Sequence, residues 1–141
     1  MAVRRVRSTI LSALLVLVAW GLPLAAQSDG SASPLRAVPA SRQADNVAVI
    51  TIEGPIDAIT ELSVKRRIAQ AEDSGADAMV FEIDSPGGAV GAVLEITNAI
   101  KGSSIANTVG WVRPDAYSGG AIIALACREI VTSSPASFGD A

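Results

Sequence analysis

The chain contains no histidine, a single cysteine and few aromatic side chains. Without histidine, no Ser-His-Asp or Cys-His catalytic set can be assembled from its own residues, and few choices remain for a transition-metal site. One cysteine, Cys127, rules out an internal disulfide and with it the cysteine-stapled extracellular modules. Cys127 falls in an apolar stretch and is read as a core residue. Lysines are scarce too: only Lys65 and Lys101. The net charge is −3, and past the first residues there is no basic run, so nucleic acid is not an expected partner. No internal repeat is visible.

The first residues have a different character from the rest. Arg4, Arg5 and Arg7 precede an apolar stretch from Ile10 to Trp20, interrupted only by Ser12. Gly21 to Ala26 then supply a helix breaker and small residues. Residues 1–26 read as a secretory signal peptide, the alternative being an N-terminal anchor; the apolar part is short against the roughly 20 residues of a membrane span. Residues 27–45, rich in Ser, Ala, Pro and Gln, read as a flexible linker. The globular part is therefore expected over 46–141, exported, and is small for the pattern it carries.

That pattern alternates strand and helix. Val47 to Ile52 is a β-rich apolar run. Asp57 can cap a helix running to about Ser74, with Gly75 as its stop. Ala78 to Ile83 is a second strand, and Asp84-Ser85-Pro86-Gly87-Gly88 a sharp turn. Val90, Val93, Leu94, Thr97 and Ile100 recur at helical spacing, ending at Gly102. Thr108 to Val112 predicts a third strand, Arg113 to Tyr117 a loop, and Ser118 to Ala126 a helix apolar all round and hence buried. Glu129 to Thr132 completes the series. Repeated βαβ units predict an α/β fold around a mainly parallel sheet. The continuous apolar runs predict a sheet covered on both faces.

In such a sheet the loops leaving the carboxyl ends of strands share one rim, where α/β folds bind ligands. Two loops there carry unusual residues: 84–88 and 115–120. Ser118 opens a helix, facing unsatisfied N–H groups and the positive end of the helix dipole. Gly119 and Gly120 leave room for a substrate backbone. The N–H groups of Gly87 and Gly88 could hold a developing oxyanion, each such donor being typically worth about 3 kcal/mol in a transition state. The ordinary readings are plainer: Ser-Gly-Gly as an N-cap, Pro-Gly-Gly as a turn, and Asp84 and Asp115 as loop braces.

Four segments in order shift the balance. Val47-Ala-Val-Ile-Thr-Ile-Glu-Gly-Pro-Ile56, Ala78-Met-Val-Phe-Glu-Ile-Asp-Ser-Pro-Gly-Gly88, Tyr117-Ser-Gly-Gly-Ala-Ile-Ile-Ala124 and Ser134-Pro-Ala-Ser-Phe-Gly139 together resemble the ClpP/crotonase-fold serine peptidases. The likeness is greatest to the exported signal-peptide-peptidase-A and NfeD groups. The resemblance implies Ser118 as nucleophile and Gly87, Gly88 and Gly119 as oxyanion or substrate-strand contacts. It implies no cofactor. It further implies hydrophobic or membrane-derived polypeptide substrates, homo-oligomers, a stomatin-like membrane partner, and a place on the extracytoplasmic, periplasmic side of a membrane.

A serine hydroxyl needs a base, and the resemblance implies a desolvated lysine several dozen residues after the serine. Lys101 ends a helix ~20 Å long at 1.5 Å per residue, far from Ser118; Lys65 sits mid-helix beside Arg66 and Arg67. Neither is assigned as base. The expectation is a partial peptidase domain whose lysine lies outside this chain. The alternatives are an inactive ClpP-like scaffold that binds peptides or a membrane partner, and a crotonase-type acyl-CoA enzyme, against which export argues.

Overall fold

The computed structural model describes residues 43–141. The expected signal peptide and nearly all of the expected linker lie outside the described residues. Among these are five strands and three helices, alternating as far as β4: β1 (Val47–Glu53), α1 (Ala58–Asp73), β2 (Ala78–Ser85), α2 (Val90–Gly102), β3 (Thr108–Tyr117), α3 (Gly119–Ala126), β4 (Glu129–Thr132) and β5 (Ser137–Gly139). No helix among the described residues is long and apolar enough to cross a membrane.

Local chemistry explains the boundaries. The Asp57 carboxylate accepts hydrogen bonds from the N–H groups of Ile59 (2.9 Å) and Thr60 (2.8 Å), which starts α1. Gly75, at φ +68°, takes the left-handed position that stops it. At the far ends of α1 and α2, the Glu72 carboxylate accepts from the hydroxyls of Ser103 (2.7 Å) and Ser104 (3.0 Å) and from the Ser104 N–H (2.7 Å). Lys65 on α1 pairs with Glu95 on α2 at 3.1 Å.

Every strand pairing is parallel, and the order β1-β2-β3-β4 follows the chain, with β5 added beside the end of β3. This order decides where the helices go. Parallel β-helix-β crossovers are right-handed as a rule, and each here steps the same way across the sheet, which puts all three helices on one face, where α1 packs on α2 and α2 on α3. The core lies there: Ile50 and Ile52 of β1, Met79, Phe81 and Ile83 of β2 and Val112 of β3 pack with Val64, Ile68, Val93, Ile96, Ile100 and Ile123 from the helices. The expectation of a sheet covered on both faces is therefore corrected. On the other face Val47, Val49, Thr51 and Glu53 are all exposed, with Val49 at 58%. The register sets Val49 beside Val80 and Val80 beside Val109. The apolar runs of β2 and β3 arise from a deep core face and a half-buried opposite face.

Two more expectations change. Residues 113–117 are strand, not loop. After a register shift between Ile83 and Ser85, Ser85 pairs with Ala116, which on its other side pairs with Phe138 of β5. The backbone is held from both sides, so the segment stays extended to Tyr117. And α3 is buried only in part: Gly119, Gly120, Ala121, Ile123 and Ala124 are covered by α2 and the sheet, whereas Leu125 is 60% exposed. Cys127 is buried as expected, its thiol 3.6 Å from the Ile123 carbonyl.

Candidate active site

The two glycine-bearing bends meet. A methyl group built on Gly87 would lie 2.9 Å from the Ser118 Cβ, 2.7 Å from the Gly119 nitrogen and 3.1 Å from the Tyr117 carbonyl oxygen. One built on Gly119 would reach the Gly87 Cα at 3.3 Å and the Gly88 nitrogen at 3.4 Å. Both bends leave the carboxyl ends of adjacent strands, β2 and β3. They adjoin without the reversal of strand order that usually opens a crevice at such a rim.

Ser118 joins the end of β3 to the start of α3 and is exposed. Its backbone stands at φ 47°, ψ −114°, a region that costs a non-glycine residue of order 1–3 kcal/mol. It occupies the N-cap position, yet its side chain makes no capping hydrogen bond. The plain reading of Ser-Gly-Gly as a cap therefore fails, and the hydroxyl is left for other chemistry. The turn is held by the main chain: the Ser118 N–H donates to the Gly139 carbonyl (3.0 Å), and its own carbonyl accepts from the Ile122 N–H (3.0 Å).

The glycines divide the remaining work. Gly87 stands at φ +96°, and its N–H donates to the Ser85 hydroxyl (3.1 Å). That N–H is engaged, so the expectation of Gly87 as an oxyanion donor narrows to one of close approach: it lets the Ser118 turn come near. Gly88 lies against Ile56, bridged on both sides by Ile56 N–H to the Gly87 carbonyl (2.9 Å) and Ala89 N–H to the Ile56 carbonyl (2.8 Å). The N–H groups of Gly88 and Gly119 have no hydrogen-bond acceptor among the described residues, and both lie at this rim, the Gly88 nitrogen 3.4 Å from a methyl group built on Gly119. Gly119 also admits Val93 of α2, whose Cγ2 would lie 2.5 Å from an added methyl group.

No lysine joins this group among the described residues. Lys65 is bound by the carboxylates of Glu95 and Glu61, which raise its pKa above the ordinary lysine value and keep it charged. Lys101 stands in the last turn of α2, whose first turn adjoins Gly88. Asp84 is also apart from the serine: it lines a depression of about 330 Å³ with Thr51, Glu53, Glu82, Arg113 and Pro114. No group of three His, Cys, Asp or Glu among the described residues could hold a metal ion.

Sequence reasoning missed two participants. For Gly139 no local signal exists: that its segment pairs with β3 is a long-range fact. Ser85 did carry one, being a lone hydroxyl between an apolar strand and Pro-Gly-Gly.

Residues 46–141 match the family profile of the NfeD1b N-terminal domain. The chain belongs to that family. Among solved structures, this NfeD1b-type domain is similar to the 1510-N membrane protease specific for a stomatin homolog from Pyrococcus horikoshii, at 33% identity and a TM-score of 0.59, over 64% of this chain and 46% of that one. A lysine-to-alanine mutant of the 1510-N protease in complex with a substrate peptide gives 32% identity and a TM-score of 0.60, over 64% and 42%. ClpP1 from Listeria monocytogenes gives 28% and 0.52, over 56% and 46%. The fold is thus that of the ClpP-type proteases, and the chain spans less than half of each of these neighbours. No curated protein sequence matches significantly.

Proposed function

We propose that the NfeD1b-type domain is part of an exported, membrane-associated serine endopeptidase that works by a Ser-Lys dyad, with Ser118 as nucleophile and a lysine supplied from outside this chain. The observation that carries the reading is the Ser118 turn: a strained, exposed serine with an uncommitted hydroxyl, set against two glycines with free N–H groups. Likeness to a stomatin-specific protease, one of whose studied mutants lacks a lysine and holds a substrate peptide, supports the dyad.

The chemistry follows from those parts. The Ser118 Oγ attacks a peptide carbonyl carbon while its proton passes to a neutral lysine amine. The oxyanion formed is held by the N–H groups of Gly88 and Gly119. Collapse breaks the C–N bond, and the leaving amine takes the proton from the lysine ammonium. Water, deprotonated by the same lysine, then hydrolyses the Ser118 ester. Substrates would be hydrophobic or membrane-derived polypeptides, a stomatin-like protein the membrane partner, and the assembly a homo-oligomer on the extracytoplasmic, periplasmic side. The reaction needs no metal or organic cofactor.

The test is peptide cleavage by the full-length protein with and without Ser118→Ala. Loss of turnover in the variant, with folding intact, supports the assignment; undiminished hydrolysis refutes it. A second reading rests on the placement of Lys65 and Lys101 away from Ser118: a catalytically inactive ClpP-like scaffold. Stoichiometric peptide binding by the full-length protein with no turnover would favour it.

A further inference from the structure

The core-facing positions of β2 run Met79, Phe81, Ile83 and then Ser85, the last only 1% exposed. A hydroxyl at the end of such a row is costly unless both its donor and its acceptor are used. Both are. The Ser85 Oγ donates to the Gly54 carbonyl at 2.7 Å and accepts from the Gly87 N–H at 3.1 Å. Gly54 and Gly87 both stand at positive φ, +73° and +96°, in conformations that a glycine-rich chain does not hold by itself.

The Gly87–Gly88 peptide is clamped from two directions. Its carbonyl is held by the Ile56 N–H, and the residue that carries that carbonyl is held at its own N–H by Ser85. A trans peptide is planar, with its C=O and N–H on opposite sides. Fixing the Gly87 carbonyl toward Ile56 therefore turns the Gly88 N–H away from Ile56. Gly120 closes over the serine from α3: a methyl group there would lie 2.9 Å from the Ser85 carbonyl oxygen and 3.3 Å from its Cβ. The Ser85 hydroxyl thus couples the turn after β1 to the 86–88 bend, while its carbonyl and Cβ pack under the start of the nucleophile helix.

We infer that Ser85 is a positioning residue of the peptidase reaction, which orients the Gly88 N–H for the oxyanion and keeps the Gly87 N–H out of that role; the inference rests on the function proposed above. Without the hydroxyl, the Gly87 N–H loses its acceptor and the 86–88 bend its tether. The transition state should suffer more than the bound substrate, because the oxyanion exists only there.

The experiment measures kcat, KM and thermal midpoint for the full-length protein and for Ser85→Ala, beside Gly75→Ala as a destabilised variant remote from the site. Expected for Ser85→Ala is a kcat lower by about tenfold to a hundredfold with KM within about threefold, since removal of a whole oxyanion donor costs about 10²–10³. Gly75→Ala should keep its kcat. If Ser85→Ala does not fold, the nearly isosteric Ser85→Cys carries the same expectation. A folded variant with unchanged kcat, or one altered in KM alone, overturns the inference. If wild-type protein and Ser118→Ala are equally inert, the proposed function falls and this inference with it, which distinguishes the two failures.

Discussion

Replacing Gly87 with alanine adds one methyl group where the two bends touch. Two costs follow, and they can be separated. The first is conformational: φ +96° is a region an L side chain rarely adopts, at about 1–3 kcal/mol. In a domain of this size that lowers the midpoint by about 4–8 °C per kcal/mol. The second is steric. The methyl carbon would sit 2.7 Å from the Gly119 nitrogen and 2.9 Å from the Ser118 Cβ, where ordinary contact begins at 3.4 Å. The serine turn must retreat by roughly 0.5–1 Å, a displacement that costs up to about 10²-fold in rate. Gly75→Ala is the control: its φ is also positive, at +68°, but nothing lies within 4 Å of the added carbon. Peptide cleavage by the full-length protein, measured below both midpoints, should fall about a hundredfold for Gly87→Ala and stay near wild type for Gly75→Ala. Equal activities in the two folded variants would refute the argument that close approach at Gly87 sets the nucleophile.

Two further expectations concern the rest of the domain. Asp57, Glu72 and Asp77 are held below their ordinary carboxyl pKa values of 3.8, 4.5 and 3.8: Asp57 chiefly by the Thr60 N–H, Glu72 by the Ser103 hydroxyl, Asp77 by the Asp45 N–H. A carboxyl whose pKa is lower folded than unfolded contributes stability that is complete above the unfolded value and is lost as pH falls through the folded one. The thermal midpoint should therefore be flat above about pH 5 and decline below it, with a shallower decline in Asp77→Asn; a midpoint that holds or rises in acid contradicts this. Burial pushes the Cys127 thiol up to about 12, so iodoacetamide at neutral pH should alkylate it only after unfolding, and rapid labelling of the native protein would show the site to be open.

The alternation of elements was legible because each strand is a compact apolar run and α1 has its own start and stop signals in Asp57 and Gly75. The convergence of 84–88 with 115–120 was legible too, since parallel strands gather their carboxyl ends. What escaped depends on partners distant in sequence. Residues 113–117 look like a loop until β5 is placed beside them, and nothing local to Ser137–Gly139 announces that pairing. The one-sided helix layer follows from strand order, which βαβ alternation alone leaves open; Val80 and Val109 read as core although they belong to the less covered face. Gly87 illustrates a finer limit: its small size was readable, but the engagement of its N–H by Ser85 required coordinates.

The central claim is that the Ser118 hydroxyl is the reacting atom. Full-length protein treated with an acylating β-lactone, digested and mapped by mass spectrometry, tests it most directly. A single acyl adduct on Ser118, absent from Ser118→Ala, is the expected result. An adduct confined to another residue, formed by a protein that cleaves peptides, would contradict it.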